Sequence, residues 1–543
     1  MSTDEKTKRA SIARRSFIVN SGVLASTAAL QLGCVRRVLG APAFITSDAE
    51  RPQLLQGIQF GDVLQNQAVV WTRSDRPARM IVEWATSASF SSAHRIVGPH
   101  LLPDTDYTER LDLRDLPAGA EIFVRVFAQG LDSARSLSAP TEGRFMTAPD
   151  RASNIRFVWS GDTAGQGFGI NPDFGGMRLY ETMRKRAPQF FIHSGDNIYA
   201  DGPIPERIVL DAEGGKVWRN LVTAETSKVA ETLDEFRGNY RYNLLDDNVR
   251  RFNAEVGQIW QWDDHEVVNN WSSSKVLDDR YTVKDVPLLV ARATTAFLEY
   301  APLRRHGDDE HERVYRHIPY GPLLDVFVID MRSYRGPNTY NRQELPNDET
   351  KFLDSPQLNW LKWNLLNSDK TWKVIASDMP LGLLVGDGDD EQGRPRFEAV
   401  ANGDGQPLGR ELELKGLLQF IKKNRIKNVV WLTADVHYCA AHYYDPTKAQ
   451  FSDFDGFWEF VSGPINAGSF GPNELDNTFG PQVIFQKAPP TANYSPYGGY
   501  QFFGQVDIDG HTEELSVSLV DIDGNTLFTK TLSPAKGKGK DKG

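Results

Sequence analysis

Four apolar runs in this chain each end on a short polar segment of the same kind, and that recurrence limits the possible folds more than any other feature. Ile155-Arg156-Phe157-Val158-Trp159-Ser160 runs into Gly161-Asp162-Thr163, and Gln189-Phe190-Phe191-Ile192-His193 into Ser194-Gly195-Asp196-Asn197-Ile198-Tyr199. Trp260-Gln261-Trp262 leads to Asp263-Asp264-His265-Glu266, and Asn428-Val429-Val430-Trp431-Leu432 to Thr433-Ala434-Asp435-Val436-His437. Short apolar runs closed by Gly and Asp read as buried strands. Two more, at 324–329 and 372–376, alternate with helical patterns at 357–366 and 410–424. Strands alternating with helices predict a layered α/β domain, in which the loops after the strands' carboxyl ends converge on one crevice.

The flanking segments have a different character. From about Leu54 to Thr147 short strand-like runs such as Ala68-Val69-Val70-Trp71-Thr72 and Met80-Ile81-Val82-Glu83-Trp84 recur between turns. That spacing predicts an immunoglobulin- or fibronectin-like β-sandwich over 44–148, with Ala148-Pro149-Asp150 as its linker. The larger domain then occupies 149–534 and closes with β segments joined by Asp509-Gly510 and Asp523-Gly524 turns. The Lys/Gly tail, 535–543, has the composition of a disordered segment.

Residues 1–43 read as an address. Arg14-Arg15 precede Ser16-Phe17-Ile18 and a mildly apolar stretch, and Ala41-Pro42-Ala43 offers a cleavage site. This is the twin-arginine pattern, which implies passage through that translocation machinery as a folded protein and a periplasmic or secreted destination. No apolar run has the length of a transmembrane anchor. Cleavage would remove Cys34 and leave Cys439, so stability must come from the core and from bound ions rather than from a disulfide. The formal charge of −11 argues against a nucleic-acid-binding surface.

Carboxylates gathered at strand ends without basic partners repel one another, and bound cations remove that penalty. Asp, Tyr and His together suit hard or borderline metals, and an aspartate shared by two cations is how two-metal hydrolases hold both.

The ordered set Gly161-Asp162-Thr163, Gly195-Asp196-Asn197-Ile198-Tyr199, Asp264-His265-Glu266 and Asp435-Val436-His437 resembles the calcineurin-like metallophosphoesterases. With Trp262-Asp263-Asp264-His265-Glu266-Val267-Val268-Asn269-Asn270, Asp330-Met331-Arg332-Ser333-Tyr334-Arg335 and Phe460-Val461-Ser462-Gly463-Pro464, the chain is more closely similar to the alkaline phosphatase D (PhoD-like) family. That resemblance implies a metallophosphoesterase β-sandwich flanked by helices and hydrolysis of phosphate mono- or diesters. It further implies Fe3+ held by Asp162, Asp196, Tyr199 and His437, with Asp196 shared by a second cation on Asp264 and Asp435. Asp378, in Ser377-Asp378-Met379-Pro380, aligns where related enzymes place a histidine, which favours Ca2+ or another divalent cation at the second position. Many members carry cysteine where this chain has Asp162, so the identity of the first metal stays open. His265 would stabilise the phosphoryl oxygens or protonate the leaving group, and Arg332, Tyr334 and Arg335 are candidates for fixing a phosphate oxygen.

Other residues read as structural. His193 and His442 fit core or surface positions, Cys439 a buried thiol and Trp262 the core, while Asn269 and Asn270 fit either a site loop or a turn. Residues 386–406 do not match the EF-hand spacing and read as a mobile loop near the site. Two alternative functions remain: a phospholipase D-type diesterase on lipid or wall-polymer esters, and an exported calcium-binding adhesion module.

Overall fold

The computed structural model of the chain describes residues 51–132, 136–305 and 312–535; the twin-arginine segment and 536–543 of the tail lie outside the described residues. Seven strands come first: β1 (Ile58–Gly61), β2 (Ala68–Arg73), β3 (Ala78–Ala85), β4 (His94–Leu101), β5 (Thr108–Leu113), β6 (Glu121–Gly130) and β7 (Thr141–Met146). β8 (Ile155–Ser160) and β9 (Phe190–Ser194) are followed by a hairpin, β10 (Arg207–Leu210) and β11 (Lys216–Arg219), and by β12 (Gly257–Gln261). Next come β13 (Arg316–Tyr320), β14 (Leu324–Val328), β15 (Trp372–Ala376) and a second hairpin, β16 (Gly386–Asp389) and β17 (Pro395–Phe397). The last are β18 (Val429–Thr433), β19 (Cys439–Tyr444), β20 (Phe457–Val461), β21 (Pro481–Lys487), β22 (Phe502–Ile508), β23 (Leu515–Asp521) and β24 (Thr526–Leu532).

Two large mixed sheets carry the second region, in the orders β24-β23-β22-β8-β9-β12-β1-β2-β5 and β13-β14-β15-β18-β20-β19-β21. Their strands alternate between two cores, as a period of two requires. In β8, Phe157 and Trp159 join Ile192, Val326, Val374, Leu432 and Phe460 in the layer between the sheets. Val158 and Phe191 face the other way, onto the helices Arg178–Arg184, Leu233–Asn243 and Val286–Tyr300. On the second sheet Phe327, Ile375 and Trp431 face the helices Asp354–Asn367 and Glu411–Lys423. The result is helix, sheet, sheet, helix, with each fully buried large apolar side chain worth roughly 1.5–3 kcal/mol.

The N-terminal region is all-β: β1, β2 and β5 pack against β4-β3-β6-β7 through Phe60, Val70, Met80, Val82, Val124 and Phe145. One of its sheets is, however, continuous with the nine-stranded sheet, because β1 pairs in parallel with β12 (Phe60 opposite Gly257). The seam is closed by the buried ion pair Arg316–Asp62 at 2.8 Å and by Trp71, whose indole N–H donates to the Glu299 carbonyl at 2.7 Å. A side chain at Gly61 would collide with the Pro302 carbonyl, its Cβ only 1.8 Å from that oxygen, so the close approach there needs glycine. Residues 386–406, expected as a mobile loop, are instead the hairpin β16–β17 followed by a buried stretch, Glu398 to Asn402.

Candidate metal centre

The loops after β8, β9 and β12 meet those after β15 and β18 at the shared carboxyl edge of the two sheets. Backbone bonds lock the first two together: Asp162 N donates to the Gly195 carbonyl at 3.2 Å and Thr163 N to the Asp196 carbonyl at 2.8 Å. Asp162, Asp196, Asp435 and His437 all adopt left-handed backbone, with φ of +69°, +52°, +66° and +58°. Each such non-glycine residue costs on the order of 1–2 kcal/mol, a strain that gathers at functional sites because the surrounding fold imposes it. Close packing of the loops depends on Gly195, whose added Cβ would lie 2.5 Å from Asp263 Cβ.

Asp162, Asp196 and His437 bring one ligand atom each within 4.8 Å of one another, and so do Asp196, Asp264 and His265. Asp196 belongs to both groups. Tyr199 completes the first, its hydroxyl 2.9 Å from His437 Nε2. His437 Nδ1 donates to the Gly468 carbonyl, which fixes the tautomer and leaves Nε2 as an acceptor. Burial holds His437 neutral, pushed down to about 4.

The donor set fits cations. Burial, reinforced by Asp264 and Glu266, drives the Asp162 and Asp196 carboxyls well above their ordinary range, with His265 opposing. Burial, then Glu398 and Asp264, does the same to Asp435. Asp162 Oδ2 and Asp264 Oδ1 are buried without a hydrogen-bond partner, and Gly463 keeps clear the space beside Asp162 Oδ2 that a Cβ, only 2.3 Å away, would fill. Tyr199 is held neutral by burial and by Asp196, so a phenolate there requires a positive charge beside it.

Not every residue expected at the site joins this cluster. Arg332 is 1% exposed, and its guanidinium is spent on Asp263, on Glu398 and, at 3.3 Å, on Asp378. Asp378 also accepts from its own loop, at Met379 N (2.8 Å). Arg335 bonds Glu398 at 3.2 Å, so both arginines stabilise a buried ionic cluster behind the ligands instead of facing an open cleft. Asp435 stands at the rim, half-buried. His193 and His442 are core residues bonded to Thr163 (2.9 Å) and Glu459 (3.1 Å), and Cys439 is a buried free thiol.

Two contributors, Asp201 and Glu398, carried no signal of their own in the sequence, and a third, Glu266, stood in the Asp264-His265-Glu266 motif without an assigned role. Asp201, within an ordinary Ala-Asp-Gly turn, lies 2.6 Å from His265 Nδ1 and accepts from Asn269 N at 3.0 Å. Glu266 accepts from Asn197 N (2.6 Å), Asn197 Nδ2 (2.8 Å), Asp263 N (2.9 Å) and Asp196 N (3.2 Å), so one carboxylate sets the mutual position of the β9 and β12 loops. Glu398 arrives from the hairpin segment to neutralise Arg332. Burial alone would lower the His265 pKa, but Asp201, Asp264 and Asp196 hold it well above the ordinary range. A cleft of about 450 Å³ opens beside the cluster, with Tyr199, Asp201 and His265 on its wall.

The chain is similar to known proteins. The family model described as PhoD-like phosphatase matches residues 157–519, and that of the PhoD-like phosphatase N-terminal domain matches 40–149. Alkaline phosphatase D of Bacillus subtilis (strain 168) is 26% identical over 515 residues, spanning 90% of this chain and 81% of that protein. A solved structure of PhoD superposes with a TM-score of 0.66 at 21% identity, covering 92% of this chain and 95% of its own. The purple acid phosphatase PPD1 from yellow lupin (Lupinus luteus) seeds superposes at 0.52 with 12% identity, covering 89% of this chain and 74% of its own. At these identities the two structures speak for the fold, a metallophosphoesterase sandwich behind an all-β N-terminal region. The family match rests on the sequence itself over most of its length: this chain belongs to the PhoD-like phosphatase family and is a hydrolase of phosphoric esters.

Proposed function

We propose that the chain is an exported, metal-dependent phosphoesterase acting on phosphate mono- or diesters through a dinuclear centre. The observation that carries this reading is the buried carboxylate cluster in which Asp196 serves two ligand groups while oxygens of Asp162 and Asp264 stay unpartnered. Asp162, Asp196, Tyr199 and His437 would hold one cation, for which Fe3+ suits the tyrosine. Asp264 and Asp435 would share the second with Asp196, and an oxygen-rich set of this kind favours Ca2+. When bound, such cations supply Lewis acidity, an activated water and neutralisation of the phosphoryl charge.

The chain's own groups supply the rest. His265, with 14% of its side chain exposed, stands where the cluster opens, its ring centroid 4.2 Å from that of Tyr199 and tilted 35° to it. Its Nδ1 proton is tied to Asp201, so Nε2 faces the cleft as the proton donor for a departing alkoxide. Glu266 keeps the two ligand loops in register, and Arg332, held by Asp378 and Glu398, places a positive charge behind them. Export follows from the Arg14-Arg15 pair and the Ala41-Pro42-Ala43 site; folding before translocation would let the protein select its metals inside the cell. Among the described residues no helix is long and apolar enough to cross a membrane.

The test is hydrolysis of nitrophenyl phosphate mono- and diesters by purified protein of measured metal content, with Asp196→Asn as the blank. Turnover that the blank abolishes supports the reading, and the diester-to-monoester ratio assigns the substrate class. Metal-loaded protein without turnover would instead favour a calcium-binding module.

A further inference from the structure

The sequence offers Arg332 and Arg335 as phosphate contacts, and the structure spends both on buried carboxylates. An anionic substrate approaching a chain of net charge −11 meets a repulsive field, which a basic side chain at the mouth of the centre would weaken. Besides His265, the basic side chains lining the 450 Å³ cleft are Arg280 and Lys275. Arg280 is bound to Asp278 through two nitrogens, at 3.0 and 2.8 Å, and donates to the Asp201 carbonyl at 3.0 Å. Its charge is committed to holding the loop.

Lys275 differs. It sits in the segment 272–276 that follows the His265 motif, half-buried, with its backbone N–H bonded to the Ser272 carbonyl at 3.1 Å. Among the described residues its ammonium makes no hydrogen bond and no ion pair. It is close enough to the cluster for its charge to act on Asp264. The cleft's acids are otherwise engaged: Asp201 by His265 and Asp278 by Arg280. A lysine held beside a phosphoryl site by its backbone, with an uncommitted ammonium, is a point-charge phosphate contact of the kind lysine makes where arginine would fork.

We propose that Lys275 binds a non-bridging phosphate oxygen of the substrate and so sets affinity at this centre, a role that Arg332 and Arg335 cannot fill from the core. The inference rests on the phosphoesterase reading. One hydrogen bond to a charged group corresponds to roughly tenfold or more in affinity. In metal-loaded full-length protein, Lys275→Met therefore raises KM for nitrophenyl phosphate and Ki for orthophosphate about tenfold, while kcat stays within about threefold. Lys275→Arg recovers most of the loss, and the Met variant shows a flatter dependence of kcat/KM on salt. Unchanged KM and Ki in Lys275→Met overturn the proposal, as does a loss confined to kcat. Orthophosphate binding measured by calorimetry on the same variants separates the two readings. If Asp196→Asn fails to abolish turnover, the phosphoesterase reading of this centre falls; if orthophosphate binds wild type and Lys275→Met equally, the role of Lys275 falls.

Discussion

His265 Nδ1 lies 2.6 Å from Asp201 Oδ1, and the other oxygen of that carboxylate accepts from Asn269 N at 3.0 Å. The aspartate thus fixes the ring's orientation beside Tyr199, while its charge favours the protonated imidazole against the pull of burial. Asp201→Asn keeps the shape and removes the charge. We expect kcat to fall by about 10–100-fold with metal content unchanged, the usual cost of losing a group that orients a working histidine. His265→Ala should cost more, about 10²–10⁴-fold. Rate profiles against pH would separate the two: in Asp201→Asn the basic limb moves to lower pH, because the histidine loses its proton earlier. A profile identical to wild type would show that Asp201 is only packing.

Glu266 has four N–H partners and offers them nothing but acceptors. Glu266→Gln turns one oxygen into a donor facing backbone N–H groups, so the substitution is isosteric and yet repulsive. The β9 and β12 loops should lose their register, and with it the shared position of Asp196 between two ligand groups. Metal content per protein should fall well below wild type, and turnover by about tenfold or more, on the scale of lost outer-shell support. Equilibrium dialysis of the variant against each metal checks this, and full retention of both metals would rule it out.

These residues show where the sequence is informative. Strands such as β8 and β18 are legible because buried strands must be apolar throughout, and their terminal aspartates stand out against that background. Asp162, Asp196, Asp264 and His437 were therefore recoverable from local pattern. Asp201 was not, since an aspartate before a glycine has the composition of any turn. Nor was the use of Arg332: its partners Asp263, Asp378 and Glu398 come from three separate segments, and only the assembled fold turns a candidate phosphate ligand into a buried counter-charge. The pairing of β1 with β12 was hidden for the same reason. A parallel contact between segments so distant leaves no periodicity or turn signal, so the N-terminal sandwich reads as separate although one of its sheets continues into the next.

Arg332 should matter to stability before it matters to substrate. Arg332→Met leaves Asp263 and Asp378 in the core without their counter-ion and Glu398 with Arg335 alone, and breaking a buried pair of this kind costs about 3–5 kcal/mol. The unfolding midpoint should drop in denaturant as well as in heat. Arg332→Lys should recover only part of the loss, because one ammonium cannot reach three carboxylates in the directions a guanidinium does. In whatever fraction remains folded and metal-loaded, KM should stay near wild type. A raised KM with an unchanged midpoint would return Arg332 to the substrate.

Away from the metal centre, Glu411 gives the fold a pH dependence of its own. It begins the helix Glu411–Lys423, accepts from Asn402 Nδ2 at 3.0 Å and Leu408 N at 3.2 Å, and is 1% exposed beside Asp476. Burial, with Asp476 adding to it, pushes its carboxyl up to about 9. The folded protein therefore holds this proton over a range where the unfolded chain, with an ordinary carboxyl, has released it. Stability from this group is complete below about pH 4.5 and drains away as pH rises towards about 9. Glu411→Gln is neutral at every pH, retains an acceptor for Asn402 and Leu408, and can donate towards Asp476 as the protonated acid does. The variant should match wild type in unfolding midpoint near pH 5 and exceed it increasingly up to pH 9. A constant difference across that range would mean that Glu411 is ionised in the fold and that its neighbours have found another way to carry the charge.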